Sequence, residues 1–203
     1  MKSLRNSIMY HINNNRMKYM FVLMCLSIGF IGGFTLAGFS KAEDVSRNIQ
    51  NFMSGLSLDA IDYFQVFVKS LFFNLRLWLL IFILGFMYRL RFLSGVAQII
   101  KGFCLGFSLG YMTLYFGGRG FLVSIVSIIP QTIIFIPALV IFNVCALNVA
   151  SKLHSLKVKN QDESITKKKW TWRAIMFGIA FFVSSLVDGF IVPVFINLVA
   201  KLF

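Results

Sequence analysis

The sequence is poor in charged residues, and above all in acids. Asp and Glu together number 7 among 203 residues, and charged residues of both signs make up 13% of the chain. Apolar residues make up 58%, and the mean hydropathy is +0.80. A soluble domain normally carries about 25% charged residues. The composition therefore excludes an ordinary soluble domain and indicates a protein of the lipid bilayer.

Residues that commonly carry catalysis or bind metals are few and scattered. Histidine occurs at His11 and His154, and neither has a carboxylate or a cysteine at metal-ligand spacing. Cys25, Cys104 and Cys145 lie in three separate apolar runs, where cysteine behaves as a small hydrophobic residue. The motifs of serine hydrolases, zinc peptidases and phosphate-binding loops are missing. The sequence thus predicts no enzyme, no metal site, no cofactor and no disulfide framework.

Long apolar runs are abundant, and they predict an all-α integral membrane protein that forms one multi-pass domain over residues 1-203. A membrane-spanning helix needs about 20 apolar residues. Five runs qualify, at about 19-39, 71-88, 95-116, 121-150 and 173-199. The GGRG sequence at 117-120 allows only a tight turn between the third and fourth runs. The fourth run exceeds the length of a straight crossing, so it is expected to tilt, bend or re-enter.

The basic residues predict the orientation of the spans. The chain has 20 Lys and Arg and a net charge of +13, and these residues cluster beside the apolar runs without forming the aromatic-studded groove that binds nucleic acid. The positive-inside rule places the N-terminus and the basic loop 151-172 in the cytoplasm and the C-terminus outside. Cleavage of the first run as a secretory signal near Ala42 remains open, although about 20 residues is longer than a typical signal core.

The first outer segment, residues 40-70, is long enough to have its own structure. Ile61, Phe64, Val68 and Leu71 recur at helical spacing, which predicts an amphipathic helix that continues into the second span. Such a helix lies on the lipid surface or provides a docking surface for an extracytoplasmic partner. The sequence leaves both alternatives open.

Glycines at four-residue spacing predict close contacts between helices. Gly102, Gly106 and Gly110 form a GxxxGxxxG stripe on the third span, and Gly29 and Gly33 form a shorter stripe on the first. Positions without side chains let helix backbones approach closely in a membrane. The stripes are expected either to pack helices within one subunit or to contact a partner helix, including that of a possible homo-oligomer.

Arg76 lies inside the second predicted span and Asp188 inside the fifth, while Lys101 stands near the start of the third. A charge that faces lipid alone is costly, so we predict that Arg76 and Asp188 form an intramembrane charge pair. In the alternative, Arg76 extends to the outer interface and Asp188 bonds a hydroxyl such as that of Ser184 or Ser185.

The fourth span contains an amide and two helix breakers. Pro130 and Pro137 each free a backbone carbonyl, and Gln131 is positioned to donate to such a group or to a neighbouring helix. We interpret the stretch as a structural bend in contact with other helices. The alternative is a broken helix that lines a transport path formed by Gln131, Asn148, Arg76 and Asp188.

Residues 101-153 are KGFCLGFSLGYMTLYFGGRGFLVSIVSIIPQTIIFIPALVIFNVCALNVASKL. The segment resembles the core of the stage II sporulation protein M family of endospore-forming bacteria in its span order, its tight turn and its Pro-Gln with a second proline seven residues later. The wider family carries Pro-His-Gly-x-x-Glu-x-Pro at this place. Here Gln131, Thr132 and Phe135 stand where that pattern has His, Gly and Glu. The loss of the titratable pair argues against proton-linked or metal chemistry.

The resemblance implies a membrane scaffold required for forespore engulfment during endospore formation. Such a scaffold is expected at the sporulation septum and in the engulfing mother-cell membrane, where it would recruit and anchor two peptidoglycan-cleaving partners, stage II sporulation proteins D and P. The alternative from the residues alone is a transporter or permease-like subunit with the polar path described above.

Overall fold

The computed structural model describes residues 12-39 and 63-192, which are mainly helical and contain no strand. Within these ranges five stretches are long and apolar enough to cross a membrane, which confirms the all-α, five-span prediction. The helices are α1 (Arg16–Phe39), α2 (Tyr63–Leu84), α3 (Ser94–Val158) and α4 (Ser164–Leu186). A short 3-10 turn, Arg91–Leu93, precedes α3, and a π-helical segment, Val187–Ile191, continues α4.

Helix α3 is a hairpin that folds back at Gly117. Gly117 has φ 61° and ψ −143°, a backbone conformation that suits a residue without a Cβ. Ser94 bonds Asn143, and Gln98 bonds the carbonyl of Leu139, so the two arms run antiparallel. The first arm covers residues 94-116 and the second arm covers 118-158. This geometry confirms the tight turn expected at 117-120.

The turn between the second arm of α3 and α4 is much shorter than the loop expected at 151-172. Helix α3 continues to Val158, and α4 already begins at Ser164. A Schellman-type closure ends α3: Gln161 N–H donates to the Leu156 carbonyl at 3.0 Å, and Asn160 adopts a positive φ of 49°. Lysines at both helix ends made this segment look like a loop, because hydropathy marks where lipid ends and not where backbone hydrogen bonding ends.

Helix α2 begins and ends earlier than the predicted second span of 71-88. It starts at Tyr63, so the described part of the predicted amphipathic helix does run into the span. Residues 40-62, which hold the rest of that prediction, lie outside the described residues, as does the last part of the fifth span from residue 193.

The second arm of α3 lies at the centre of the bundle. Its Phe135 and Phe142 are fully buried against α4, where Phe135 stacks on Phe181 at 4.9 Å and Phe142 stacks on Trp170 at 5.2 Å between ring centroids. The Trp170 indole also donates to the Phe82 carbonyl of α2 at 3.3 Å. These aromatic contacts tie α2, α3 and α4 together.

Candidate functional site

The glycine stripes of α1 and of the first arm of α3 face each other and form a seam. On α1, a Cβ added to Gly29 would overlap the Ile99 carbonyl oxygen, and one added to Gly33 would overlap that of Phe103. The backbones of the two helices are therefore in direct contact, at a distance that no larger residue permits.

The stripe on α3 makes the reciprocal contacts. A Cβ on Gly102 would overlap the Leu26 carbonyl oxygen, one on Gly106 would overlap that of Phe30, and one on Gly110 would lie 3.0 Å from the Phe34 ring. Of the two interpretations of the stripes, the structure therefore supports packing within one subunit. Gly29, Gly33, Gly102, Gly106 and Gly110 are occupied by this seam.

Helices α2 and α4 meet through polar side chains. The Ser70 hydroxyl donates to the Asp188 carboxylate, and the Asn74 amide donates to the Ser185 hydroxyl at 2.9 Å. Ser185 in turn donates to the Phe181 carbonyl at 3.0 Å. Buried hydrogen bonds of this kind connect helices where lipid offers no competing partner. Asp188 itself is 8% exposed.

Lys101 brings a positive charge into the interior of the bundle. It lies near the middle of the span Arg91–Leu114 and is only 4% exposed. Its ammonium lies 4.3 Å from the centroid of the Phe135 ring and 5.5 Å from that of Phe73. Asp188, of opposite charge, is also buried in the bundle. Lys101 therefore contacts one ring from α2 and one from the second arm of α3.

The predicted pairing of Arg76 with Asp188 is not seen. Arg76 is exposed on the surface of α2, and no ion pair joins it to Asp188 within the described ranges. The side of α2 that faces α4 carries Ser70, Asn74 and Leu77, and Arg76 projects about 100° away from Leu77 on the helix circumference. The outcome matches the alternative in which Asp188 bonds a hydroxyl, although the hydroxyl is that of Ser70 rather than Ser184 or Ser185.

Lys101 is the residue that the sequence analysis missed. The apolar run begins near residue 95, which made Lys101 look like a residue at the end of a span. The helical span begins at Arg91, four residues earlier, and this places Lys101 at mid-depth. Lys101 directly precedes Gly102, which belongs to the glycine stripe. That position in the sequence could have indicated that Lys101 lies within a packed helix.

Pro130, Gln131 and Pro137 all lie inside the second arm of α3. The Gln131 side chain is outside what the structure describes, so its bonding partner and the proposed bend remain predictions. Phe135, between the two prolines, is the ring beneath Lys101.

Polar and charged side chains in the interior of the bundle connect its helices. Ser94 and Asn143 exchange two hydrogen bonds of 2.7 Å across the hairpin, and Lys101 and Asp188 contribute opposite charges to the interior. Within residues 12-39 and 63-192, no group of three His, Cys, Asp or Glu residues could hold a metal ion. The Ser94–Asn143 pair thus holds the two arms of α3 in register.

A comparison with protein-family models identifies the family of this chain. The model of the family described as stage II sporulation protein M matches residues 20–193. The chain belongs to this family. Searches of curated proteins and of solved structures found no match.

The match to the stage II sporulation protein M family covers nearly all of the described bundle. Both glycine stripes, Lys101 and Asp188 lie within it. Phe135 also lies within it, and the structure places the Lys101 ammonium 4.3 Å from the centroid of that ring, a cation–π contact.

Proposed function

We propose that this protein is a membrane scaffold required for forespore engulfment. It recruits and anchors stage II sporulation proteins D and P at the sporulation septum and in the engulfing mother-cell membrane. The observation that carries the proposal is the family match over residues 20–193. Anchoring two hydrolases in one assembly raises the local concentration of each at the substrate of the other, so the scaffold acts without chemistry of its own.

The distribution of charge supports the orientation that the proposal requires. Described basic residues gather where α1 and α4 begin and α2 ends, which we call the basic end of the bundle: Arg16, Lys18, Arg89, Arg91, Lys152, Lys157, Lys159, Lys167, Lys168, Lys169 and Arg173. By the positive-inside rule this end is cytoplasmic. The opposite end, where α2 begins, then faces the cell wall.

The start of α2 is the surface we assign to the partners. Phe64 is 68% exposed there, and residues 40-62 connect to the same end. Aromatic residues are enriched in protein interfaces, and Phe64 also contacts Phe67 with ring centroids 6.4 Å apart. The packing of the glycine seam and of the aromatic core fixes the position of this surface relative to the rest of the bundle.

The polar path required by the transport alternative is not assembled in the described residues. Asn148 accepts a hydrogen bond from Lys18 at the basic end, whereas Asp188 bonds Ser70 toward the opposite end. Arg76 is exposed on the surface of α2. These residues face different neighbours and therefore favour helix anchoring over a shared path.

Co-purification from sporulating cells tests the proposal. The tagged full chain is solubilised in mild detergent, and both hydrolases are expected to be recovered with it. Phe64→Gln should lower their recovery, while Met17→Gln is the matched control because Met17 is also exposed, at 77%, but lies at the basic end. Recovery of neither hydrolase with the unmodified chain would contradict the scaffold.

A further inference from the structure

A cleft of about 820 Å³ opens at the basic end of the bundle. One wall is the connection between α2 and α3, with Tyr88 and Arg89, and the other wall is the end of α3 and the start of α4, with His154, Lys157 and Lys167. Sites for small molecules in proteins have volumes of roughly 300–1,000 Å³. The cleft is therefore large enough for a molecular ligand.

The charge of the cleft is positive. Lys167 pairs with Glu163 at 2.8 Å, so these two charges offset each other. Arg89 and Lys157 also line the cleft, and neither has an acidic partner within residues 12-39 and 63-192. With Glu163 paired to Lys167, Arg89 and Lys157 leave the lining with a net positive charge, which favours an anion. Arginine and lysine both bind phosphate.

Ring stacking organises the wall that carries these cations. The rings of Tyr88 and His154 stack with centroids 3.8 Å apart. The Arg91 guanidinium lies 4.3 Å from the Tyr88 ring centroid and donates a hydrogen bond to the Ser151 hydroxyl. This stack connects the α2–α3 connection to the second arm of α3. The cleft is thus built into the fold, in contrast to a loose group of surface lysines.

The position of the cleft identifies the source of the anion. Helix α2 ends at Leu84 and α4 begins at Ser164, so the cleft lies where the spans leave the membrane. Phe86, Met87 and Val158 form its apolar part. A ligand that combines a phosphate with hydrocarbon chains would place its charge against Arg89 and Lys157 and its chains along the apolar residues.

We propose that this cleft binds the headgroup of an anionic phospholipid at the basic end of the bundle. Binding would fix the connection between α2 and α3 against the connection between α3 and α4. The site makes the protein selective for membrane regions rich in negatively charged lipid, independently of which protein partners it recruits.

The test measures lipid binding to the full-length protein. Protein in phosphatidylcholine nanodiscs is titrated with phosphatidylglycerol, and retained lipid is counted by native mass spectrometry. A direct hydrogen bond from a cationic side chain to a phosphate contributes roughly five-fold or more in affinity, so the double substitution Arg89→Gln and Lys157→Gln should weaken phosphatidylglycerol binding about 30-fold or more.

The matched control is the double substitution Lys168→Gln and Lys169→Gln, which removes the same charge from exposed positions at the same end but outside the cleft. It should bind phosphatidylglycerol nearly as the unmodified protein does. Equal weakening in both variants would overturn the proposal in favour of diffuse surface charge. Retention of as much phosphatidylcholine as phosphatidylglycerol would also overturn it. So would displacement of the lipid by inorganic phosphate alone at matching concentration. Circular dichroism establishes that the variants keep their helices.

Discussion

Two interfaces hold this bundle together by opposite means. The seam between α1 and the first arm of α3 is formed by glycines, which have no side chain, so that carbonyl oxygens of one helix lie against glycines of the other. The interface between α2 and α4 is built from polar side chains, with Asn74 bonded to Ser185 and Ser70 bonded to Asp188. Lipid tails are as apolar as leucine, so burial of apolar side chains does not draw helices together in a membrane.

The contrast shows what each interface tolerates. The seam gains its stability from close van der Waals contact, and it therefore fails when volume is added. The α2–α4 interface relies on hydrogen bonds between polar side chains, and it is therefore weakened when one partner is removed. Substitutions at the two interfaces should therefore differ in effect, and both should exceed a substitution outside them.

Added volume at the seam should have the largest effect. Gly33→Leu forces α1 away from Phe103, and we expect a loss of about 3 kcal/mol or more of stability, or failure to fold. Gly32→Leu is the matched control, since nothing lies within 4 Å of the Cβ position of Gly32. Thermal unfolding in detergent, followed by circular dichroism, measures both. Similar melting temperatures for the two variants would contradict the close contact.

Separation of the buried charges should have the next largest effect. Lys101 and Asp188 are buried charges of opposite sign in one bundle, so we expect Asp188→Ala to lower stability and the loss to be partly relieved when Lys101→Met is added. A double-mutant cycle should give a coupling of about 1–3 kcal/mol. Additive effects of the two substitutions would show that Lys101 and Asp188 do not stabilise each other.

Loss of the amide at Asn74 should have a smaller effect. Asn74→Leu removes the hydrogen bond to Ser185, and we expect a cost of about 1 kcal/mol, as is usual for such bonds between membrane helices. Arg76→Leu is the control on the same helix and should change stability little, because Arg76 is exposed. A larger cost for Arg76→Leu than for Asn74→Leu would restore the pairing of Arg76 with Asp188.

The smallest effect is expected outside the two interfaces, in the turn before α4. Asp162 accepts hydrogen bonds from the Ser164 hydroxyl at 2.7 Å and from its backbone N–H at 2.8 Å, and these bonds lower the pKa of Asp162. Because the folded pKa is depressed, the stabilisation is present above the ordinary carboxyl pKa and is lost as pH falls through the lowered value. The melting temperatures of the unmodified protein and Asp162→Asn should converge over that pH range. A constant difference between them would contradict this assignment.

The sequence predicted the elements that depend on local pattern. Apolar run length predicted five spans, and the two glycines at 117 and 118 predicted the turn that the positive φ of Gly117 now confirms. Four-residue spacing also identified Gly102 and Gly106 as contact positions, although it could not show that the opposing helix was α1. One stripe gives the face of a helix but not its neighbour.

The partner of Asp188 could not be predicted, because it depends on the rotation of three helices at once. Depth along the spans made Arg76 the obvious cation, yet Asn74 and Leu77 turn the other side of α2 toward the bundle interior. Lys101 was overlooked because apolar composition located the start of its span too late. Helix phase and helix start are both set by tertiary packing, which one sequence does not encode in its local pattern.

Bypass of the anchor is the most direct test of the scaffold. In sporulating cells that lack this protein, stage II sporulation proteins D and P are each fused to an unrelated membrane anchor that is directed to the septum. Engulfment is then scored by fluorescence microscopy with a membrane dye. If the bundle acts by anchoring its partners, engulfment should be restored. A persistent block with both hydrolases present and active at the septum would contradict the scaffold and require a further function of the bundle itself.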